Sequence, residues 1–275
     1  MMGKFSKLMS ERSKHTKVDN GHCLICGKHG HLSFDHVPPK GAVTITKIEQ
    51  RHIGEMTGEN AHRIRGVPSL KGSGFKTICQ DCNNRALGGN DDEIAKVCSE
   101  LTGKIRDYFQ YADHPGTIIQ AKVNPVRFTR AMIGHVLAAT SAQECIAEPK
   151  EHAYFDPLKR FVLGDNSALD ETHDIYYWFY PYRMHLSAKE LAFWNNGHTA
   201  IISLLSFFPI AFMITKKNEG VYPPYACKLS LTDTALILNL STRGFDYAEF
   251  PFHDLKGNQM RVANDTKLIV SYPIK

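Results

Sequence analysis

The sequence predicts an α+β fold: a thiolate-stapled finger near the N-terminus, a helical connection, and a C-terminal α+β domain with antiparallel strands. Three observations carry this. Two C-x-x-C pairs, Cys23-Leu-Ile-Cys26 and Cys79-Gln-Asp-Cys82, close off a short N-terminal unit. Apolar residues recur at helical spacing in the middle of the chain, and runs of aromatic and β-branched residues dominate from about residue 174.

The chain has 275 residues, 43% of them hydrophobic and 10% aromatic, which is ample for a buried core. Its seven cysteines fall as two tight pairs plus Cys98, Cys145 and Cys227. That distribution reads as metal ligation in a reducing compartment, because a disulfide scaffold is shorter and denser in cysteine. The opening stretch MMGKFSKLMSERSK is basic without a following apolar run, so no secretory signal is expected and a cytoplasmic location is.

Residues 1 to 20 are expected to form a flexible basic arm carrying Lys4, Lys7, Arg12, Lys14 and Lys17. Residues 21 to 90 form the finger. Within it, a strand over residues 32 to 37 ends at Pro38-Pro39, which cannot continue a ladder. Residues 41 to 70 read as an insertion placed to contact nucleic acid. Residues 75 to 78 form a second strand, and Cys82 opens a short helix carrying Asn83.

Residues 91 to 173 form the helical connection. Ile94, Val97, Cys98, Leu101, Ile105 and Tyr108 predict an amphipathic helix over 91 to 111, with Asn90 and Glu93 as a capping box and Cys98 as a core thiol. A helix over 125 to 141 has Pro125 in its first turn, and a short one runs over 156 to 164. The strand-rich domain spans 174 to 275, built from DIYYWFYPYR, the segment 199 to 215, CKLSLTDTALILNLS and YAEFPF. The segment TAIISLLSFFPIAFMIT carries no charge, but a membrane span needs about 17 to 25 apolar residues and proline interrupts this one. A pair of core strands broken near Pro209 explains it, so no membrane association is expected.

The chemistry concentrates in the finger. Cys23, Cys26, Cys79 and Cys82 are the donor set of a closed tetrahedral Zn²⁺ cage, which leaves no open position for a substrate. Between and just after the pairs lie Asp35-His36 and Asn83. A carboxylate and an amide oxygen suit a hard cation such as Mg²⁺, and a histidine with an ordinary pKa of about 6.5 suits general-base work at neutral pH. His22, His29 and His31 flank the first pair and are the alternative ligands, but two complete cysteine pairs favour sulfur. Lys28, Lys40, Arg51, Arg63, Arg65, Lys71, Lys76 and Arg85 surround the motif, although the net charge is only +5. Lys40, Arg63, Arg65 and Arg85 are candidate phosphate contacts. The plain alternatives are a turn at Asp-His-Pro-Pro and a helix cap at Asn83. Asp91, Asp92 and Glu93 read as helix-start acids.

These motifs, CLICG at 23 to 27, FDHVPPK at 34 to 40 and ICQDCNN at 78 to 84, resemble the HNH endonuclease family in its four-cysteine form. The resemblance covers residues 21 to about 90. It implies a ββα-metal finger in which the four cysteines hold structural zinc, Asp35 and Asn83 hold the catalytic divalent cation, and His36 is the general base. The family's middle asparagine, which helps orient that base, has no counterpart in KGSGFKTIC; the nearest is Asn60, and a backbone carbonyl is able to do the same job. The resemblance further implies hydrolysis of phosphodiester bonds in double-stranded DNA, by nicking or cleavage. HNH domains joined to a second domain are familiar in restriction, phage defence and mobile elements, by analogy alone. The alternative is a non-catalytic zinc protein that binds nucleic acid, in which His36 has no role.

Overall fold

The computed structural model describes residues 8–12, 18–57, 59, 61–111, 116–195, 198–253, 255 and 268–274. Lys4, Lys7, Lys14, Lys17 and Asn60 lie outside the described residues. The strands, in chain order, are β1 (Leu8–Met9), β2 (Asn20–His22), β3 (His29–His36), β4 (Ile48–His52), β5 (Ile64–Arg65), β6 (Val67–Ser69), β7 (Gly74–Cys79), β8 (Ile118–Lys122), β9 (His173–Phe179), β10 (His185–Asn195), β11 (His198–Phe207), β12 (Ile210–Lys216), β13 (Cys227–Lys228), β14 (Ala235–Asn239) and β15 (Leu268–Pro273). The helices are α1 (Gly54–Thr57), α2 (Asp91–Tyr111), α3 (Pro125–Ala138) and α4 (Phe155–Val162).

An eight-stranded antiparallel sheet in the order β13-β9-β12-β11-β10-β15-β4-β6 organises the molecule. Its central strands are buried on both faces. On β9, Ile175, Tyr177 and Phe179 join the core that contains the helices, while Tyr176 and Trp178 join a second core on the other face. Strands covered on both sides need not alternate apolar with polar residues, which explains the uncharged run at 199 to 215. That run is the hairpin β11–β12, closed around Phe208-Pro209 with Phe207 paired to Ile210. No described helix is long and apolar enough to cross a membrane.

The helix over 91 to 111 forms with the expected bounds and buries Ile94, Val97, Cys98, Leu101 and Ile105. Its predicted capping box does not form. The Asn90 amide donates to the Ala86 carbonyl, and Glu93 instead accepts from the Asn124 backbone N–H. The cap at α3 is sharper: Asn124 accepts from the Arg127 N–H ahead of Pro125.

Three expectations are corrected. Residues 8–12 are not a free arm: β1 pairs in parallel with β5, Ser10 Oγ donates to Glu55, and Arg12 is buried with its guanidinium 4.8 Å from the Phe75 ring. The stretch 41 to 70 is not a separate excursion, since it supplies β4 and β6 to the large sheet, where β4 pairs with the C-terminal β15. YAEFPF forms no strand. Phe250 and Phe252 instead cover the sheet by packing against Phe193, and Trp178 Nε1 donates to the Ala248 carbonyl.

Candidate metal centre and the flanking acid, imidazole and amide

The finger is a three-stranded sheet, β2-β3-β7. Cys23 to Gly27 form a tight knuckle: the Gly27 N–H donates to the Cys23 carbonyl, the Cys23 N–H donates to Lys28, and Gly27 adopts φ 75°, which glycine tolerates best. The Leu24 N–H donates to the Thr77 carbonyl and fastens the knuckle to β7, whose last residue is Cys79. Beyond it, Cys82–Leu87 forms a wide π-type turn in which the Gly88 N–H reaches back five residues to Asn83.

These pieces bring the four cysteine sulfurs within 4.8 Å of one another, and no histidine belongs to the group. Cys26 Sγ and Cys79 Sγ lie 3.7 Å apart. A hydrogen bond from the Cys82 thiol, with backbone N–H groups of Cys26, Cys79 and Ile25, lowers the Cys23 pKa to about 5 despite its burial. Cys82 is driven up in turn by that same bond, by burial and by the neighbouring sulfurs. Thiols so crowded resist joint ionisation unless a cation neutralises them, and a soft four-sulfur set fits Zn²⁺.

Asn83, at the start of the π-type turn, lies against β3: its Nδ2 donates to Ser33 Oγ at 2.9 Å and to the Phe34 carbonyl at 3.0 Å. With the amide nitrogen so committed, Oδ1 is the atom it presents elsewhere. It does not act as a helix cap. Asp35, two residues beyond Ser33 on β3, is 4% exposed and turns towards the helices. There its Oδ2 accepts from Nδ1 of His135 at 3.0 Å, and Nε2 of His135 donates to Asp91 Oδ1 at 2.9 Å. Burial disfavours the imidazolium, but the two carboxylates outweigh it and raise the His135 pKa to about 10. The ring therefore donates from both nitrogens. Asp35 Oδ1 makes no hydrogen bond to the described residues.

His36 follows Asp35 on the strand and turns the other way. Its ring meets Phe34 edge-on with centroids 4.9 Å apart, so these two side chains share a face and Asp35 lies on the opposite one. Burial, then the nearby Lys40, lowers its pKa, while the Lys71 backbone favours the charged form; the net result is a neutral imidazole at pH 7. Nε2 is buried without a partner. The His36 side chain borders a cavity of about 10 Å³, lined also by Val43, Thr44, Ile45, Thr46, Ile48 and His185, room for about one water. Asn83 is thus docked on β3 at the two residues that precede Asp35, where the β3–β7 register shifts, whereas the His36 ring packs with Phe34. The Lys71 backbone is the group next to the His36 ring where the sequence lacked an orienting asparagine.

The candidate phosphate contacts lie on different elements. Lys40 is exposed near His36, Arg65 is exposed on β5 beside β1, and Arg63 precedes it. Arg85 pairs with Asp81 at 3.4 Å and lines a groove of about 410 Å³ beside the cysteines, together with Lys28 and Arg130.

His135 and Asp91 are the partners of Asp35 that sequence reasoning missed. Asp91 was legible only as a helix-start acid, and His135 is one polar residue in the apolar run AMIGHVLA. A histidine in such a run is a signal that a buried carboxylate lies opposite, but the sequence does not say which.

The class defined here is a mixed α+β protein with antiparallel sheets and a four-cysteine cluster near its N-terminus, fit to hold a metal such as zinc. No family model matches the chain, and no characterised protein or solved structure is detectably similar to it.

Proposed function

We propose that this chain is a metal-dependent, HNH-type endonuclease acting on double-stranded DNA. Asp35 and Asn83 hold a divalent cation such as Mg²⁺, and His36 is the general base. The observation that carries the reading is Asn83 docked through its amide nitrogen on Ser33 and Phe34, the residues just before Asp35, which leaves its oxygen and one oxygen of Asp35 without a hydrogen bond to the described residues. Both are oxygen ligands of the kind Mg²⁺ takes alongside water. When bound, such a cation offsets charge growing on the phosphate and stabilises the leaving oxygen.

The chain's own residues do the rest. Zinc held by Cys23, Cys26, Cys79 and Cys82 fixes the start of the π-type turn against the hairpin, and thereby Asn83 near Asp35. A neutral His36 has a lone pair to accept a proton from water. Nε2 is buried and Val43, Thr44, Ile45, Thr46 and Ile48 line the small cavity beside the ring, so this cover has to open before a phosphate reaches that nitrogen. Lys40 and Lys71 border this side and supply positive charge to a polyanion.

A second reading is favoured by two specific observations: the carboxylate of Asp35 already answers a buried imidazolium, and His36 is covered. Under it, the chain is a non-catalytic zinc protein that binds nucleic acid. The discriminating experiment incubates zinc-loaded protein with supercoiled plasmid and Mg²⁺, with and without chelator, beside His36→Ala. Mg²⁺-dependent nicking that falls by about 10²-fold or more in the variant supports the nuclease. Equal nicking by both proteins removes His36 from the mechanism, and DNA binding without nicking supports the second reading.

A further inference from the structure

His135 is fully buried on α3, one hundred residues away in sequence from the carboxylate it meets. Its neighbours Ala131, Met132, Ile133, Val136 and Leu137 are buried and apolar, so packing alone has no use for an imidazole there. Both ring nitrogens are engaged: Nδ1 with Asp35 Oδ2 at 3.0 Å, and Nε2 with Asp91 Oδ1 at 2.9 Å. Held at two opposite points, the ring has no freedom to turn, and it in turn holds one lobe of the Asp35 carboxylate. The other lobe makes no hydrogen bond to the described residues. Asn83, anchored to the same strand through Ser33 and Phe34, offers the second oxygen.

We propose that His135 is a positioning residue, which clamps one carboxylate oxygen of Asp35 so that the other is presented to the divalent cation, with Asp91 fixing the far side of the ring. This rests on the endonuclease reading, in which Asp35 is a cation ligand. Groups that orient metal ligands from behind alter metal affinity by about 10- to 100-fold when removed. A purely structural cross-link between β3, α2 and α3 changes stability without selecting which nitrogen matters.

Two substitutions separate these roles. His135→Asn keeps a donor near the position of Nδ1, facing Asp35; His135→Gln keeps one near Nε2, facing Asp91. Mn²⁺ binding to the zinc-loaded full chain, followed by the loss of the free-ion electron paramagnetic resonance signal, is the readout. The dissociation constant should rise by about 10-fold or more in His135→Gln and stay within about threefold of wild type in His135→Asn. Asp91→Ala releases only the partly exposed end of the clamp and should weaken Mn²⁺ binding by about threefold or more, which decides the matter if a His135 variant fails to retain zinc. Wild-type affinity in folded His135→Gln, or in Asp91→Ala, overturns the positioning role alone. No Mn²⁺ binding by the wild-type protein overturns the cation site itself, a failure visible before any variant is made.

Discussion

Cys79 ends β7 with its sulfur 3.7 Å from that of Cys26, joining the knuckle to the π-type turn. Replacing that sulfur by a hydroxyl removes one of four soft donors without changing the shape of the side chain much. Cys79→Ser should therefore lose stoichiometric zinc and lower the melting temperature by roughly 10 °C, because the metal's binding energy is folding energy in a unit this small. Zinc content by atomic absorption and a thermal melt check it, and a folded, zinc-loaded variant contradicts the structural role. The His36→Ala variant should behave oppositely, keeping zinc and fold while losing nicking activity. At this scale the sequence exposed the residues that a short motif names: the four cysteines, whose sulfurs do come together, and Asp35, His36 and Asn83. It hid His135, since nothing within the helix AMIGHVLA points to a carboxylate one hundred residues earlier. Nor did it reveal that consecutive residues 35 and 36 leave β3 on opposite faces, with Phe34 keeping His36 company.

Among the elements, α3 packs against the π-type turn that carries Asn83. Gly134 on α3 faces Leu87, and a β-carbon there would come within 2.7 Å of the Leu87 side chain, itself fully buried. Alanine is the better helix former by about 1 kcal/mol, so propensity alone predicts that Gly134→Ala stabilises. Overpacking wins instead: the expected outcome is a net loss of about 1 to 3 kcal/mol in urea unfolding. An unchanged or improved midpoint would show that Leu87 yields. Gly88 and Gly89 follow the π-type turn, and β-carbons added there would approach the Asn84 and Arg85 carbonyls at 2.8 Å. The amphipathic helix α2 was readable from its apolar stripe, because a 3.6-residue period is a local property. The capping box was not, since Glu93 found a longer-range partner in the Asn124 N–H, and YAEFPF was not, since its rings cover a sheet face that exists only after the sheet has formed.

Across the whole molecule, burial of the C-terminal sheet sets a pH dependence. His173 and His185 both have pKa values lowered to about 4 by burial, with a nitrogen of each left unpartnered. The unfolded chain takes up these protons near pH 6.5 while the folded protein resists until about pH 4. Their contribution is therefore present above pH 6.5 and is lost as pH falls through that window, by up to roughly 3 kcal/mol each. Urea unfolding at pH 7, 5.5 and 4 should show the decline. The difference between wild type and His185→Leu should shrink the slope if the imidazole is responsible, and an unchanged slope refutes the assignment.

By itself the sequence determined the elements whose cause is local: a metal-ready pair of cysteine knuckles, an amphipathic helix, a hairpin broken at Pro209, and an acid, imidazole and amide spaced around the thiols. Only the tertiary structure decided that β4 and β6 close the large sheet against β15, that Arg12 is buried, and that a helix lends His135 to Asp35. The reason is that periodicity and turn chemistry act over a few residues, whereas strand pairing and the neutralisation of a buried charge are settled by whatever the folded chain brings within about 3 Å.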